Sequence, residues 1–146
     1  MRYFDDLKVG DRFESEGFRV TKQGIIAFCR RFDPQGFHLD EKKARRTVFK
    51  GIVTSGWHTA AITMRLFVKT LNFSGGAIGL GVDKVRWPAP IRPGDTVRVE
   101  TRILRLRRSQ SMPEFGIVRL SNTTRNQRNE VVQTMLASAL VRRRRR

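Results

Sequence analysis

Cysteine is almost absent from this sequence: Cys29 is the only one in 146 residues. One thiol cannot close a disulfide within the chain and cannot supply a thiolate zinc set, so no metal is expected and a reducing, cytoplasmic setting fits. Long apolar runs are missing too. No stretch approaches the roughly 20 residues of a membrane-spanning helix. Residues 1–7 are mixed polar and acidic rather than a basic stub before an apolar segment, so no secretory signal is expected. There is neither a Pro- or Ser-rich linker nor an internal repeat. With 39% hydrophobic residues, the chain suits one globular domain, expected over residues 1–141.

Acidic residues are also scarce. Thirteen Asp and Glu stand against 30 Lys and Arg, for a formal charge of +17, and without the five arginines at 142–146 the charge is still +12. The excess therefore belongs to the domain and not only to that tail, which is expected to be disordered. Such a balance fits nucleic acid, whose contacted phosphates release counterions, a small polyanion such as coenzyme A, or simply a solvated surface.

Residues 8–20 hold a Gly-Asp turn and short segments that read as an edge strand or hairpin. After Thr21, a suitable N-cap, Ile25, Ile26, Cys29 and Phe32 recur at helical spacing as far as Asp33-Pro34, where Pro34 disfavours helical geometry in the residue before it. A second short helix is expected from Asp40, as cap, to Arg46. Residues 54–71 carry a stripe of Trp57, Ala61, Met64, Val68 and Leu71, widened by Ala60, Ile62, Leu66 and Phe67 almost all round, which predicts a buried helix. Beyond it, turn residues mark off strands at 77–87, 96–108, 115–124 and 130–141, with a hairpin loop at 126–129. Val97, Val99, Thr101 and Ile103 alternate with charged residues before the apolar positions change parity to Leu104 and Leu106, as a β-bulge would produce. Helices first and strands after, with no room for βαβ crossovers, predict an α+β fold: a curved antiparallel sheet wrapped around one long buried helix.

The chain has only two histidines, and one stands in Asp33-Pro34-Gln35-Gly36-Phe37-His38-Leu39-Asp40. An acid and an imidazole five residues apart on a loop with Pro and Gly, flanked by Phe32, Phe37 and Leu39, can share one partly dry pocket and pass protons to and from a water molecule. The same residues could serve structure alone, with Asp33 capping a turn and His38 packed beneath the loop. Around Ser55 and Gly56, small residues lead into the buried helix, whose first-turn amides and dipole can stabilise a developing oxyanion. Gly56 would let a carbonyl come close; a glycine is equally in place where a helix start crosses a strand.

In their order and spacing these motifs resemble the MaoC-like dehydratase family, which includes the (R)-specific enoyl-CoA hydratases of the hot-dog fold. The resemblance rests on Asp33, His38 and Asp40, on Phe49 seven residues before Gly56, and on Trp87-Pro88 followed by Pro93-Gly94-Asp95. It runs from about residue 6 to residue 141. It implies a hot-dog domain that pairs as a homodimer or dimer of dimers and adds water to, or removes it from, an acyl-CoA or other acyl thioester, with no cofactor beyond the coenzyme A of the substrate. Asp33 and His38 would hold and activate water, the Gly56 amide would polarise the thioester carbonyl, and Asp40 would support the loop. Phe37, Ser55 and Trp57 would line the acyl pocket, Trp57 shortening it in favour of small or branched groups, while His58 is read as structural or pocket-lining. The chain departs from the pattern at Gly36, where many relatives have Pro, and at Ser55-Gly56-Trp57, where hydratases often have His-Gly.

Lys42, Arg45 and Lys50, with Lys43 and Arg46 beside them, could grip the phosphates of coenzyme A or form a solvated helix face. Arg86, Arg92 and Arg119 are further candidates. A thioesterase on the same fold would need a carboxylate near the helix, and residues 47–81 contain no Asp or Glu. A non-catalytic acyl-CoA binding or regulatory module is a further alternative, against which the Asp33–His38 pair is a counter-argument. A nucleic-acid binder is disfavoured because neither zinc spacing nor an aromatic RNA-binding motif is present.

Overall fold

Four helices come first among the longer elements, and each begins where the sequence supplies a cap or a break. The computed structural model describes residues 1–145. Helix α1 (Lys22–Phe32) starts at Thr21, whose hydroxyl accepts from the Gly24 amide at 3.0 Å, and stops at Asp33, where φ −148° leaves helical space ahead of Pro34. A single turn, α2 (Gly36–Leu39), follows, and then α3 (Glu41–Arg45), capped by the Asp40 carboxylate on the Lys43 amide at 3.0 Å. The long helix α4 (Gly56–Leu71) opens at Ser55 and closes on Asn72 in the left-handed region, φ 45°.

The strands are β1 (Arg12–Glu14), β2 (Phe18–Arg19), β3 (Ala77–Arg86), β4 (Thr96–Arg108), β5 (Phe115–Arg125) and β6 (Val131–Arg142). They form one antiparallel sheet in the order β1-β4-β5-β6-β3, with β2 also on β4. β1 and β2 thus pair with β4 rather than with each other, so the early segment is an edge and not a hairpin. The bulge expected in β4 lies between Ile103 and Arg105. It turns Leu106 toward the core, and the added twist helps the sheet curve round α4. This is the hot-dog arrangement, α+β, as expected.

Two buried clusters divide the length of α4. Ile62 and Leu66 join Val20, Ile25, Ile91 and Val97 at one end, while Phe67 and Leu71 join Phe4, Ile103, Val118 and Leu120 at the other. The face of α4 against the sheet also carries Thr59 and Thr63, whose hydroxyls are paired with Thr54 at 3.0 Å and Thr124 at 2.7 Å. The stripe read from sequence as inward is turned the other way at four of its five positions: Trp57, Ala61, Met64 and Val68 are exposed, Trp57 by 61%, and only Leu71 is buried. Paired threonines made the inner face look polar. Alongside, the edge strand β3 exposes Ile78, Leu80 and Val82, so one flank of the domain is apolar and open.

The terminal arginines also differ from expectation. Arg142 ends β6, the Arg143 guanidinium donates to the Pro113 carbonyl, and Arg144 binds Asp6 at 2.8 Å, so residues 142–144 are part of the domain rather than a disordered tail. Arg146 lies outside the described residues. No helix among the described residues is long and apolar enough to cross a membrane.

Candidate active site

The break at Asp33-Pro34 and the single turn of α2 bring an acid and an imidazole face to face. The His38 side chain is 6% exposed; its Nδ1 lies 2.9 Å from the Val53 carbonyl and its Nε2 3.3 Å from Asp33 Oδ2. A carbonyl oxygen only accepts, so Nδ1 carries the proton there. In the neutral ring Nε2 is then the free base, pointed with the carboxylate into the same space. Asp33 is held in turn by the Gln35 amide, which donates to Oδ1 at 2.7 Å. Burial alone would raise the Asp33 pKa; hydrogen bonds from the Ser55 hydroxyl and Gln35, joined by the charge of His38 whenever Nε2 is protonated, outweigh it and keep the carboxyl below its ordinary value. Asp33 is therefore an ionised acceptor at neutral pH. Two groups that can each take a proton and face one cleft are the equipment for moving protons on and off one water molecule.

That cleft, of about 400 Å³, is lined by Asp33, His38, Phe37, Ser55, Gly56 and Trp57, with Phe49, Trp87 and the 88–91 loop closing it. The residues expected from sequence at the cleft are thus brought together, apart from the basic set: Lys42, Arg45 and Lys50 are exposed and lie outside the lining. Phe37 rests against His38 with ring centroids 4.3 Å apart, which keeps the imidazole dry on that side. His58 is outside the lining as well. It stacks on Phe28 at 4.5 Å, its Nδ1 is buried without a partner, and burial followed by the charge of His38 lowers its pKa, so it is a neutral packed ring. Cys29 is fully buried and burial pushes its thiol up, which removes it as a nucleophile.

Gly56 opens α4, with the Ser55 hydroxyl accepting from the Trp57 amide at 3.3 Å. Its lack of a side chain is required by an indole: a Cβ there would lie 2.6–2.8 Å from three ring atoms of Trp87. Trp87 is fixed in that position. Its Nε1 donates to Gln133 Oε1 at 2.8 Å, and fully buried Gln133 donates onward to Thr63 at 3.1 Å, which pairs with Thr124. Trp57 meets the same indole edge-on, centroids 5.5 Å apart. The helix start is therefore walled by two tryptophans, and Gly56, at its first position, lines the cleft, where a developing negative charge would gain from the positive end of the helix.

Sequence reasoning missed Val53, Gln35 and Gln133. The first acts through its carbonyl, which any residue has. Gln133 carried a faint signal, as an amide in an apolar strand. Asp33 is the only acid in the lining, and no group of three potential metal ligands occurs among the described residues.

The family described as MaoC like domain matches residues 7–126. The chain is 30% identical over 141 residues to the uncharacterized protein YdeM of Bacillus subtilis, covering 95% of this chain and 98% of YdeM. Over 100 residues it is 30% identical to 3-hydroxyacyl-thioester dehydratase Z of Mycobacterium tuberculosis, covering 66% of this chain and 64% of that protein. Of the solved structures, the MaoC-like dehydratase from Rhodospirillum rubrum superposes with a TM-score of 0.93 at 49% identity, all of both chains being covered.

Proposed function

As the chain belongs to the MaoC-like domain family, we propose that it hydrates a trans-2-enoyl thioester to the 3-hydroxyacyl thioester, or runs the reverse dehydration. The observation that carries the reading is the Asp33–His38 pair, 3.3 Å apart with Nδ1 committed to Val53, beside the start of α4. A thioester carbonyl at the Gly56 amide becomes more electron-withdrawing, and Cβ becomes electrophilic. Water held by Asp33 and His38 gives up one proton to the pair as its oxygen bonds to Cβ. Negative charge collects on the carbonyl oxygen as an enolate, which collapses when the pair returns a proton to Cα. One water has been added and no group is left on the enzyme. Stabilising the enolate more than the ground state is what would raise the rate.

Phe37, Ser55 and Trp57 take the acyl portion, and the two tryptophans favour small or branched chains. Lys42, Arg45 and Lys50 lie outside the lining and are assigned the phosphates of the coenzyme A carrier, as solvent-side contacts. A second copy of the chain covers the apolar flank of Met64, Val68, Leu80 and Val82, pairing along the free edge of β3; an unpaired edge beside exposed aliphatic side chains is otherwise an aggregation site. The reaction is assigned to the cytoplasm, in keeping with a lone buried thiol. The relationship to a 3-hydroxyacyl-thioester dehydratase supports the substrate class. Hydrolysis of the thioester is disfavoured because the cleft has one carboxylate, and it is hydrogen-bonded on the loop rather than carried by α4.

The test is loss of ultraviolet absorbance from crotonyl-CoA and from longer and branched enoyl-CoAs, with free thiol followed in parallel, for the parent, Asp33→Asn and His38→Ala. Hydration without thiol release, reduced about 10²- to 10⁴-fold in each folded variant, is expected. Thiol release would make the protein a thioesterase. No turnover on any of these, with both variants binding acyl-CoA like the parent, would overturn the assigned pair.

A further inference from the structure

A row of arginines lies on the side of the sheet that faces away from α4. Val97, Val99, Thr101 and Ile103 of β4 are buried toward the helix, so Arg98 and Arg102 point the other way. The bulge resets the alternation, so that Leu106 packs inward and Arg105 and Arg107 join them. Register then sets like charges directly across from each other: Arg98 opposite Arg125, Arg102 opposite Arg12, and Arg105 opposite Arg119. Directly opposed like charges destabilise a sheet.

Arg119 is relieved by Asp83 at 2.5 Å and by Ser138. Among the described residues, Arg12, Arg98, Arg102, Arg105, Arg107 and Arg125 form no ion pair. The acids that could serve them are engaged elsewhere: Asp5 and Asp6 with the terminal arginines, Asp95 and Glu130 with Arg128, Glu16 with Lys69, and Glu41 with Lys22. Glu14 and Glu100 share the face but oppose one another. Hollows of about 450 Å³, at Arg105, Arg107 and Arg119, and about 390 Å³, at Arg98 and Arg125, lie along it. From residue 98 to residue 107 the track is about 30 Å long at roughly 3.3 Å per residue.

We propose that this face binds the phosphate backbone of a nucleic acid without reading its bases. Every unpaired cation on the track is an arginine, whose planar fork matches phosphate oxygens, and Ser121, Thr123 and Ser138 add hydroxyl donors between them. The track carries no aromatic side chain on which a base could stack, so sequence is not read. Its apolar side chains are confined to Ile117 and Leu80 at the Arg107 end, while the hollow at Arg98 and Arg125 has none, so charge rather than an apolar core dominates the face. A second copy paired along β3 borders the hollow at Leu80 and Asp83 but leaves Arg12, Arg98, Arg102 and Arg125 open, because they lie on β1, β4 and β5, away from that edge. The acyl cleft opens at the start of α4, on the helix side of the sheet, so the two sites are separable.

The experiment is fluorescence anisotropy of a labelled random-sequence DNA duplex of about 20 base pairs with the full chain over a salt series. Binding independent of sequence is expected, with log K falling against log salt with a slope of about −4.5 to −5.4, for five or six neutralised phosphates. The variant carrying Arg102→Gln, Arg105→Gln and Arg107→Gln should lose about 2 to 3 from the slope and bind at least about tenfold more weakly at low salt. Its melting temperature should not fall, since opposed like charges are removed. Arg30→Gln with Arg31→Gln, on α1, should leave binding unchanged. The proposal is overturned if both sets weaken binding equally, if the triple variant binds like the parent, or if polyglutamate displaces the duplex as well as unlabelled duplex does.

Discussion

Adding one methyl group at Gly56 should separate what that position does for stability from what it does for chemistry. In Gly56→Ala the new Cβ would sit 2.6–2.8 Å from the Trp87 ring, against about 3.5–4.0 Å for unstrained carbon contacts. The indole must retreat by about 1 Å, which breaks its hydrogen bond to Gln133 and leaves a fully buried amide oxygen unsatisfied. An unsatisfied buried acceptor costs about 1–3 kcal/mol. Because Trp87 is 42% exposed it can tilt outward, so the top of that range is not reached, and a net loss of about 2 kcal/mol is expected. That corresponds to a fall in Tm of about 4–8 °C for a chain of this length. Urea unfolding followed by tryptophan emission would measure it, in the parent and in a Trp87→Ala background. In that background the methyl group has room and should cost less than about 0.5 kcal/mol. Hydration should behave differently: the methyl group still crowds the amide, so kcat stays down about 10²-fold in both backgrounds. Equal costs of the methyl group in the two backgrounds would refute the clash, and recovery of activity with stability would refute the oxyanion role.

Two further outcomes follow from the same geometry. The His58 pKa is lowered from 6.5 by burial and by the charge of His38. Below that value the unfolded chain takes up a proton that the folded one refuses, and stability falls as pH drops from 6.5 toward the depressed value. His58→Phe keeps the stack on Phe28 and removes the unpartnered Nδ1, so it should stabilise by about 1 kcal/mol at neutral pH and by more near pH 5; a gain in urea midpoint that is the same at both pH values would contradict the assignment. Leu80→Glu puts a charge on the exposed apolar flank of β3 and should convert a dimer to a folded monomer in light scattering, and a dimer that survives the change would place the contact elsewhere.

The helices and strands were legible wherever local chemistry punctuates the chain: Thr21 and Asp40 as caps, Pro34 as a stop, and the parity change after Ile103 as a bulge. The turn of α2 was not, because four residues are too few to show a period. The orientation of α4 misled for a different reason. Apolarity does not say which way a side chain points: Met64 and Val68 are exposed beside β3 and Trp57 lines the cleft, while Thr59 and Thr63 face inward with their hydroxyls paired. Asp33 and His38 could be found from type and spacing. The Val53 carbonyl that fixes the tautomer, and the Gln133 amide that holds Trp87 from far along the chain, are long-range partners with no local signature. The terminal arginines were read as solvated charge because their acids, Asp5 and Asp6, stand at the opposite end of the sequence.

That last contact changes how the chain can be regarded as a covalent object. Arg144 donates from its backbone to Asp5 at 2.8 Å and from its guanidinium to Asp6, so the segment after β6 is tied back to residues ahead of β1. A flexible linker joining the two ends would leave this contact in place, because it lies between residues 5–6 and residue 144. The chain could then be reopened at the exposed turn of residues 110–114, between β4 and β5. Every residue of the cleft lies between positions 33 and 91, so the rearranged order would carry the whole site as one unbroken passage.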